Sequence, residues 1–549
     1  MMRNLKFLSI VPLVCGLAFA TPLYAKPSTT SLSDLMVNNN YIHIGQIFVS
    51  ADPSADRRYS KVLRQSVAFV NGDYNLLRHP LQNHNVRPID VAGRVNAVRE
   101  IFVESKIPIN VRVWFSNTGV RKDMHVVLFV SKASHFDRLT SHGFSNNLVK
   151  YYQQKMRQQH NLNKKFDHYA ALMRTIPGLR MGYYYQPGAK YSPSNVAMLQ
   201  NMRRITGYAD FNNTGNKVAG RYIFGTGFSL HQIFANDALS VNGAISNKFN
   251  RMKMGMIDYH TLIGPYGTKL DLNFVYNWSK SPAYTLAYQF RGNGRRYQVA
   301  VTQPIIMQTQ EQFLITAGYA LINGQNLGDS QDFPGGVPSL DTRDRIPLVF
   351  ANFDFSALNP LGNFWGNLAV TQGLRQGASF RVIGRPANLT PESDPKSTFM
   401  RINVGINQRI YFKHDLSLLI SGKGQFSRNN PLYMSQKFGF NDGAYVGQAL
   451  LGDYGMAGRT ELDWNWLIFD SYLRQVQFFG FGAVGYVRNP KEVLISYEEK
   501  TGATVGLGAR LMFTEHLAGF FELARPFMKL PVDQDRSVTY PFFGLTADF

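Results

Sequence analysis

Cysteine is all but missing. Cys15 is the single one in 549 residues, and a chain with one thiol can form neither a disulfide framework nor a thiolate metal centre. Long apolar runs are missing too. The one near the start, residues 7–20, follows Arg3 and Lys6 and leads to Leu23, Tyr24 and Ala25 before Lys26, the layout of an export signal over residues 1–25 rather than of a membrane-crossing helix. Beyond it no apolar stretch is long enough to cross a bilayer as a helix, so an exported chain that belongs in a membrane must cross it as strands. Nucleotide and hydrolase signatures are also lacking: there is no GxxxxGKS or GxxxxGKT, and no HExxH or GxSxG in a supporting context. Gly480, Gly482 and Gly485 spell GxGxxG, but inside an alternating strand with no helix after it, so no dinucleotide site is read there. His79 and His84 are close in sequence, and a solvated turn is preferred to a metal site. No enzymatic activity, cofactor or metal is expected.

Acidic residues are few: 36 Asp and Glu stand against 58 Lys and Arg, a net charge of +22. The surplus is uneven. From Lys26 to Ile205 there are 25 basic and 10 acidic residues, a net +15, whereas Thr206 to Phe549 nets only +5. An exported chain does not routinely meet nucleic acid, and no nucleic-acid partner is expected. Three readings of the basic third stay open: attraction to anionic lipid headgroups, attraction to an acidic unfolded protein, or a solvated face.

What the chain does have is alternation. Over residues 399–412, Met400, Ile402, Val404, Ile406, Ile410 and Phe412 share one side, and Arg401, Asn403, Gly405, Asn407 and Arg409 share the other, a period of two. The next strand sets Leu416, Leu418, Ile420 and Phe426 against Asp415, Ser417, Ser421, Lys423 and Gln425, with Leu419 out of place. A third sets Leu462, Trp464, Trp466 and Ile468 against Arg459, Glu461, Asp463 and Asn465. One face is wide and aromatic and the other charged on every strand, which suits a barrel in lipid with a wet lumen better than a soluble sheet. Glu461 and Asp463 beside Arg459 read as an ion-pair network rather than as catalytic carboxylates.

Residues 26–40 form a polar lead. Then come a strand at 41–50, helices at 57–70 and 88–102, and strands at 111–115 and 124–130. A similar order follows: a weak strand at 136–144, a basic helix with Leu148, Tyr152 and Met156 in register, a helix with Phe166, Ala170 and Met173, and strands at 179–186 and 195–205. Two small α+β modules, 41–132 and 133–202, thus precede a barrel over 203–549. Short turns at 264–267, 359–362, 412–415 and 514–516 alternate with polar excursions at 323–347, 376–398, 428–452 and 489–501. At ~20 residues per strand and connection the barrel holds about 16 antiparallel strands, and fourteen or eighteen also fit.

Tyr169 to Leu179, reading YAALMRTIPGL, with Gln186, Pro187 and Gly188, resembles the second periplasmic module of two-partner-secretion outer-membrane transporters, the haemolysin and filamentous-haemagglutinin secretion-activation family. Gly207 to Gly215 (GYADFNNTG) is similar to that family's first barrel strand and turn, and Leu451, Gly452, Asp453, Tyr454 and Gly455 to the end of the long loop that folds into its barrel. The resemblance implies two polypeptide-transport-associated (POTRA) modules in the periplasm, a sixteen-stranded outer-membrane barrel, and ATP-independent passage of a large unfolded secreted partner through the lumen. An assembly insertase of the same superfamily is the alternative, and a general porin a weaker one. Outer-membrane lipid is the other expected partner and a monomer the expected state. One departure stands out. The family carries an arginine-glycine motif at the loop tip paired with an aspartate on a following strand, yet Phe438 to Gln448 (FGFNDGAYVGQ) holds no arginine, and residues 477–486 offer Phe481, Gly482 and Ala483 where the aspartate belongs. A loop held by neutral contacts, with Gln448 or Asp442 bonded to the wall and Gly447, Gly452, Asp453 and Gly455 shaping it, is therefore expected. Arg401, Arg409, Lys423, Arg459, Glu461 and Asp463 are expected to line the lumen. Lys150, Lys155, Arg157, Lys164 and Lys165 are expected to dock the partner.

Overall fold

The computed structural model describes residues 29–30, 42–51, 81–82, 84–86, 91, 94–95, 109–118, 121–130, 138–159, 164–187, 193–215, 220–249, 251–280, 289–308, 311–329, 340–359, 361–375, 397–412, 415–429, 432, 434–446, 449–467, 473, 475–490, 498–514, 516–528 and 538–549. The export signal expected at 1–25 and the helix expected at 57–70 lie outside these residues, as do Gly447, Gln448 and His79. Of the helix expected at 88–102, only Val91, Arg94 and Val95 are described, and all three are helical and buried. The chain divides into two compact units, residues 1–175 with 179–202, and residues 176–178 with 203–549.

In the first unit a five-stranded sheet runs in the order Thr29–Thr30, Ile109–Thr118, Arg121–Val130, Ile42–Ala51, His84–Val86. Val111, Val113 and Phe115 alternate onto one face and meet Ile44, Ile47, Met124 and Val126, all buried. A three-stranded sheet, ordered Arg138–Gly143, Pro193–Met202, Leu179–Pro187, accompanies α1 (Asn147–Arg157) and α2 (Lys164–Arg174). The Oδ1 of Asn146 caps α1 by accepting from the Val149 amide at 2.8 Å. Val149, Tyr152 and Met156, at helical spacing, are buried together with Phe166, Ala170 and Met173 of α2. The strand expected at 195–205 is broken: the ladder with Leu179–Pro187 ends at Met202, with one last bond from Arg203 N to Gly178 O (2.9 Å), and Ile205 opens a new sheet.

The second unit is a closed barrel of sixteen antiparallel strands. They are β1 (Ile205–Asn212), β2 (Ile223–His231), β3 (Asp237–Ser246), β4 (Met252–Ile263), β5 (Thr268–Lys280), β6 (Gln289–Met307), β7 (Glu311–Asp329) and β8 (Leu340–Asn359), followed by β9 (Gly362–Gly373), β10 (Met400–Tyr411), β11 (Leu416–Arg428), β12 (Tyr454–Leu467), β13 (Gln475–Arg488), β14 (Glu499–Met512), β15 (Leu517–Pro526) and β16 (Tyr540–Asp548). Closure leaves no strand edge unpaired in hydrocarbon, where an unmet backbone group has no water to turn to. β16 meets β1 over only five residues, Gly544–Asp548 against Tyr208–Asn212. Asn213 extends that short ladder: its Nδ2 donates to Pro541 O (2.8 Å) and its Oδ1 accepts from Phe543 N (2.7 Å).

Alternation decides inside from outside. Trp464 and Trp466 are 48% and 54% exposed and stack in parallel on the outer surface, while Glu461 and Asp463, one residue out of phase with them, are 2% and 0% exposed. A sheet buried between soluble layers would reverse those numbers; a barrel in lipid requires them. Leu419 is the inward exception on β11, opposite Arg409 and Glu461. The excursion expected at 323–347 is corrected: β7 and β8 are 19 and 20 residues long and pair as far as Gly328 with Leu340. Their Asn, Gln, Gly and Asp residues look like loop composition, yet a ladder beyond the membrane has no need of apolar side chains.

Candidate functional site

The inner wall from β10 to β15 carries a chain of ion pairs. Arg409 lies 3.5 Å from Asp463; Arg510 on β14 reaches Asp463 (3.1 Å) and Glu461 (2.6 Å); Arg459 reaches Glu461 (2.5 Å) and Glu522 on β15 (3.9 Å). Four carboxylates and four bases alternate once Lys423 and Asp442 join at the end of the chain, 3.6 Å apart, with Arg459 3.9 Å from Asp442. The guanidinium of Arg459 also lies 3.8 Å from the Phe481 ring centroid, and that of Arg510 lies 4.1 Å from that of Phe479, so planar cations stack on inward aromatic faces. No group in this chain of charges stands alone, which is what a charge held off bulk water requires.

Asp442 does not belong to the wall. It sits at the tip of the loop between β11 and β12, which turns back into the barrel as a small hairpin, Phe438–Phe440 against Leu450–Gly452, with a 3-10 turn at Gly443–Tyr445. Phe440, Tyr445 and Leu450 are fully buried against Ala457, Phe479, Phe481, Ala483 and Ala524 of β12, β13 and β15. The wall makes room by omission. A Cβ at Gly485 would overlap the Phe440 ring, and one at Gly502 would crowd Leu450, Tyr445 and Phe440 together. Gly455 lies beneath Phe438 in the same way. Wall side chains satisfy the loop's backbone: Arg401 Nη1 and Gln425 Nε2 donate to Gln436 O, and Gln425 Nε2 and Ser427 Oγ to Asp453 O, at 3.0–3.1 Å. At the neck, Lys437 and Asp453 form an ion pair at 2.5 Å with both side chains wholly buried, and Lys437 Nζ also donates to Asn489 Oδ1 (3.1 Å).

Magnitudes separate tip from hook. Each buried apolar side chain contributes roughly 2 kcal/mol, so Phe440, Tyr445 and Leu450 dominate. The Asp442 pairs are long, 3.6 and 3.9 Å, and desolvation of a carboxylate only 4% exposed offsets their attraction, so they contribute under about 1 kcal/mol each. The expectation of neutral tethers is thereby corrected: the loop is held by an aromatic hook, a buried ionic neck and a charged tip. That tip carries its acid on the loop and its bases on the wall, the reverse of the arginine-on-loop arrangement the resemblance implies. Losing the loop arginine leaves no stranded charge, because Lys423 and Arg459 are met from the loop by Asp442.

Arg401, Arg409, Lys423, Arg459, Glu461 and Asp463 all lie on the inner face, and Gly452 and Asp453 close the hairpin. In the first unit Lys150, Arg157, Lys164 and Lys165 are exposed, and Lys155 lies over the Tyr151 ring at 5.5 Å. Arg510, Glu522, Lys437 and Phe479 went unread in the sequence, and Phe481 is read there only as the residue standing where the aspartate belongs. The alternation of β14, with Gly502, Thr504, Gly506, Gly508 and Arg510 opposite Val505 and Leu507, contains the signal for Arg510.

Comparison with known proteins points one way. The family model described as haemolysin secretion/activation protein ShlB/FhaC/HecB matches residues 194–509. The heme/hemopexin transporter protein HuxB of Haemophilus influenzae strain 86-028NP is 24% identical over 370 residues, 64% of this chain and 62% of that protein. Its counterpart in strain KW20/Rd is 24% identical over 344 residues, 60% and 57% of the two chains. The match thus spans about three-fifths of these relatives' length. Among solved structures, CdiB from Escherichia coli superposes with a TM-score of 0.58 at 13% identity, over 98% of this chain and 94% of that one, and CdiB from Acinetobacter baumannii with 0.52 at 13%, over 98% and 95%. At such identities these structures speak for the fold.

Proposed function

The chain belongs to the haemolysin secretion/activation family and resides in the outer membrane as its barrel, and from that premise we propose that it is a translocation pore for a large exported polypeptide, which it takes up unfolded and passes to the cell surface without ATP. The observation that carries this reading is a charge-lined lumen with a loop seated in it. A rigid, permanently open channel needs no such loop, whereas a conduit for occasional passengers needs a stopper that seats in the lumen and can be withdrawn as a unit. The balanced ions of β10 to β15 offer a sliding chain many short-lived partners, and the guanidinium groups of Arg459 and Arg510 cover the rings of Phe481 and Phe479. The chain acts by binding and passage rather than by catalysis.

Residues 1–25 serve as export signal and 26–40 as a lead; 41–132 and 133–202 are two POTRA modules and 203–549 the barrel. The basic side chains of α1 and α2 draw the partner in, and an extended segment adds to a sheet edge such as Leu179–Pro187, which pairs on one side only among the described residues. The pore works as a monomer in contact with outer-membrane lipid. Deleting the chain tests the reading: one large protein should vanish from the culture medium while other outer-membrane barrels keep their normal abundance. Loss of many barrels would instead indicate an insertase, and loss of small-solute uptake a porin. Reversing Lys150, Arg157 and Lys164 to Glu should lower export at unchanged barrel level, and unaltered export would remove the docking role.

A further inference from the structure

Away from the loop's seat, one cluster of ligating side chains serves nothing described so far. Asp258 and His260 stand two residues apart on the inner face of β4, and Asp271 is the register partner of His260 on β5. One donor atom from each lies within 4.8 Å of the other two. Sheet geometry produces this: positions i and i+2 share a face, and directly opposed residues bring their Cβ atoms to about 5 Å. The ligands are themselves held. Asn273 Nδ2 donates to Asp258 Oδ1 and Thr302 Oγ1 to Asp271 Oδ2, each at 3.4 Å, as outer partners of a metal site do.

Two further observations point to a cation. Lys269 Nζ lies 2.8 Å from Asp271 Oδ1 and is the more exposed of the two, at 38% against 16%; the cluster already attracts a positive charge, and that charge is on a side chain able to swing into water. Second, His231 on β2 and His260 flank Ala238, the register partner of both, on the same inner face. His231 Nε2 is engaged with Thr206 Oγ1 at 3.0 Å, while its Nδ1 is buried with no hydrogen-bond partner. That unpartnered nitrogen neighbours the cluster but is not one of the donors that stand within 4.8 Å of one another.

We propose that Asp258, His260 and Asp271, with His231 beside them, bind a divalent transition-metal ion of the zinc class on the inner face of the barrel near its short-turn end. Imidazole with carboxylate suits such an ion, whereas calcium and magnesium prefer oxygen alone and copper(I) prefers thiolate or thioether. Ligands at 2.0–2.1 Å from zinc stand roughly 3.3 Å apart; His260 Nδ1 and Asp258 Oδ2 already lie 3.4 Å apart, and side-chain torsions bring in the remaining donor, which lies within 4.8 Å of both. Binding displaces the Lys269 ammonium from Asp271 and clips β4 to β5. The site needs no passenger to exist.

The full-length protein in detergent is titrated with Zn2+ against a chromophoric chelator, with Ca2+ for comparison. One zinc equivalent should be weakened by at least about tenfold in His260→Ala and in Asp271→Asn. Lys269→Gln should tighten it, a gain that misfolding cannot mimic, and heat-dependent gel mobility reports the folded barrel in every variant. In planar bilayers Zn2+ should reduce the conductance of the wild type and not of His260→Ala. Equal zinc affinity in wild type, His260→Ala and Lys269→Gln overturns the proposal, as does calcium binding as tightly as zinc.

Discussion

The inner wall of β12–β15 and that of β2–β5 belong to one barrel and obey one alternation, yet they present opposite surfaces. On the first, Ala457, Phe479, Phe481, Ala483 and Ala524 are buried under the loop. On the second, Ser240, Asn242, Met254, Met256, Asp258 and Asn273 point inward and are half-buried. A barrel whose lumen simply conducted water would be polar all round. The contrast teaches that the arc of β12–β15 is a seat, shaped by glycines and aromatics for a particular segment, while that of β2–β5 carries polar, half-buried side chains that no apolar segment covers among the described residues.

The largest effect that would break this contrast lies at the neck. Lys437→Ala strands Asp453 as a lone buried charge, a loss of about 3–5 kcal/mol that should free the loop and raise resting conductance severalfold. Replacing both partners, Lys437→Met with Asp453→Leu, should return most of that loss, because a well-packed apolar pair needs no counter-ion; liposome-swelling rates compare the two. Next comes the hook. Phe440→Ala removes a fully buried ring and should weaken the seat by about 3 kcal/mol, seen as longer open events in single-channel records. Asp442→Ala should cost under about 1 kcal/mol and change open probability by less than about fivefold. A larger effect would promote the charged tip over the hook. At the bottom of the scale, Asn242→Ala on the β2–β5 arc should leave the resting state within about 0.5 kcal/mol of wild type, and a leak there would show that the loop leans on both walls.

How much of this the sequence discloses follows from what the membrane enforces. Lipid demands an apolar residue at every second position, so Val404, Ile406, Trp464 and Trp466 announce the outer surface, and Arg401, Glu461 and Asp463 the inner, without reference to anything distant. The loop's seat answers to no such local rule. Phe479 follows Phe478, and a strand with aromatics on both faces reads as broken alternation; only the folded chain shows that Phe478 is 40% exposed on the outside while Phe479 is buried inside under a guanidinium. An inward aromatic is nonetheless a legible sign that something covers it. The Lys437–Asp453 pair is sixteen residues apart, and the Gly, Asn and Asp residues between them read as loop although Phe438, Phe440, Tyr445, Leu450 and Leu451 stand among them. The polar ends of β7 and β8 mislead in the same direction, since above the bilayer a strand and a loop draw on the same residues.

A covalent test reaches the central claim, that the loop rests against β12–β15 before any passenger arrives. Ala444 N lies 3.3 Å from Thr504 Oγ1 on β14, so Ala444→Cys with Thr504→Cys should be bridged by a short bis-methanethiosulfonate, each thiolate forming a disulfide to the linker as methanesulfinate leaves, in whole cells without other induction, and the bridged protein should conduct no more than the resting wild type. Failure to bridge in a correctly folded barrel, or a bridged protein that conducts as freely as one with the loop removed, would contradict it.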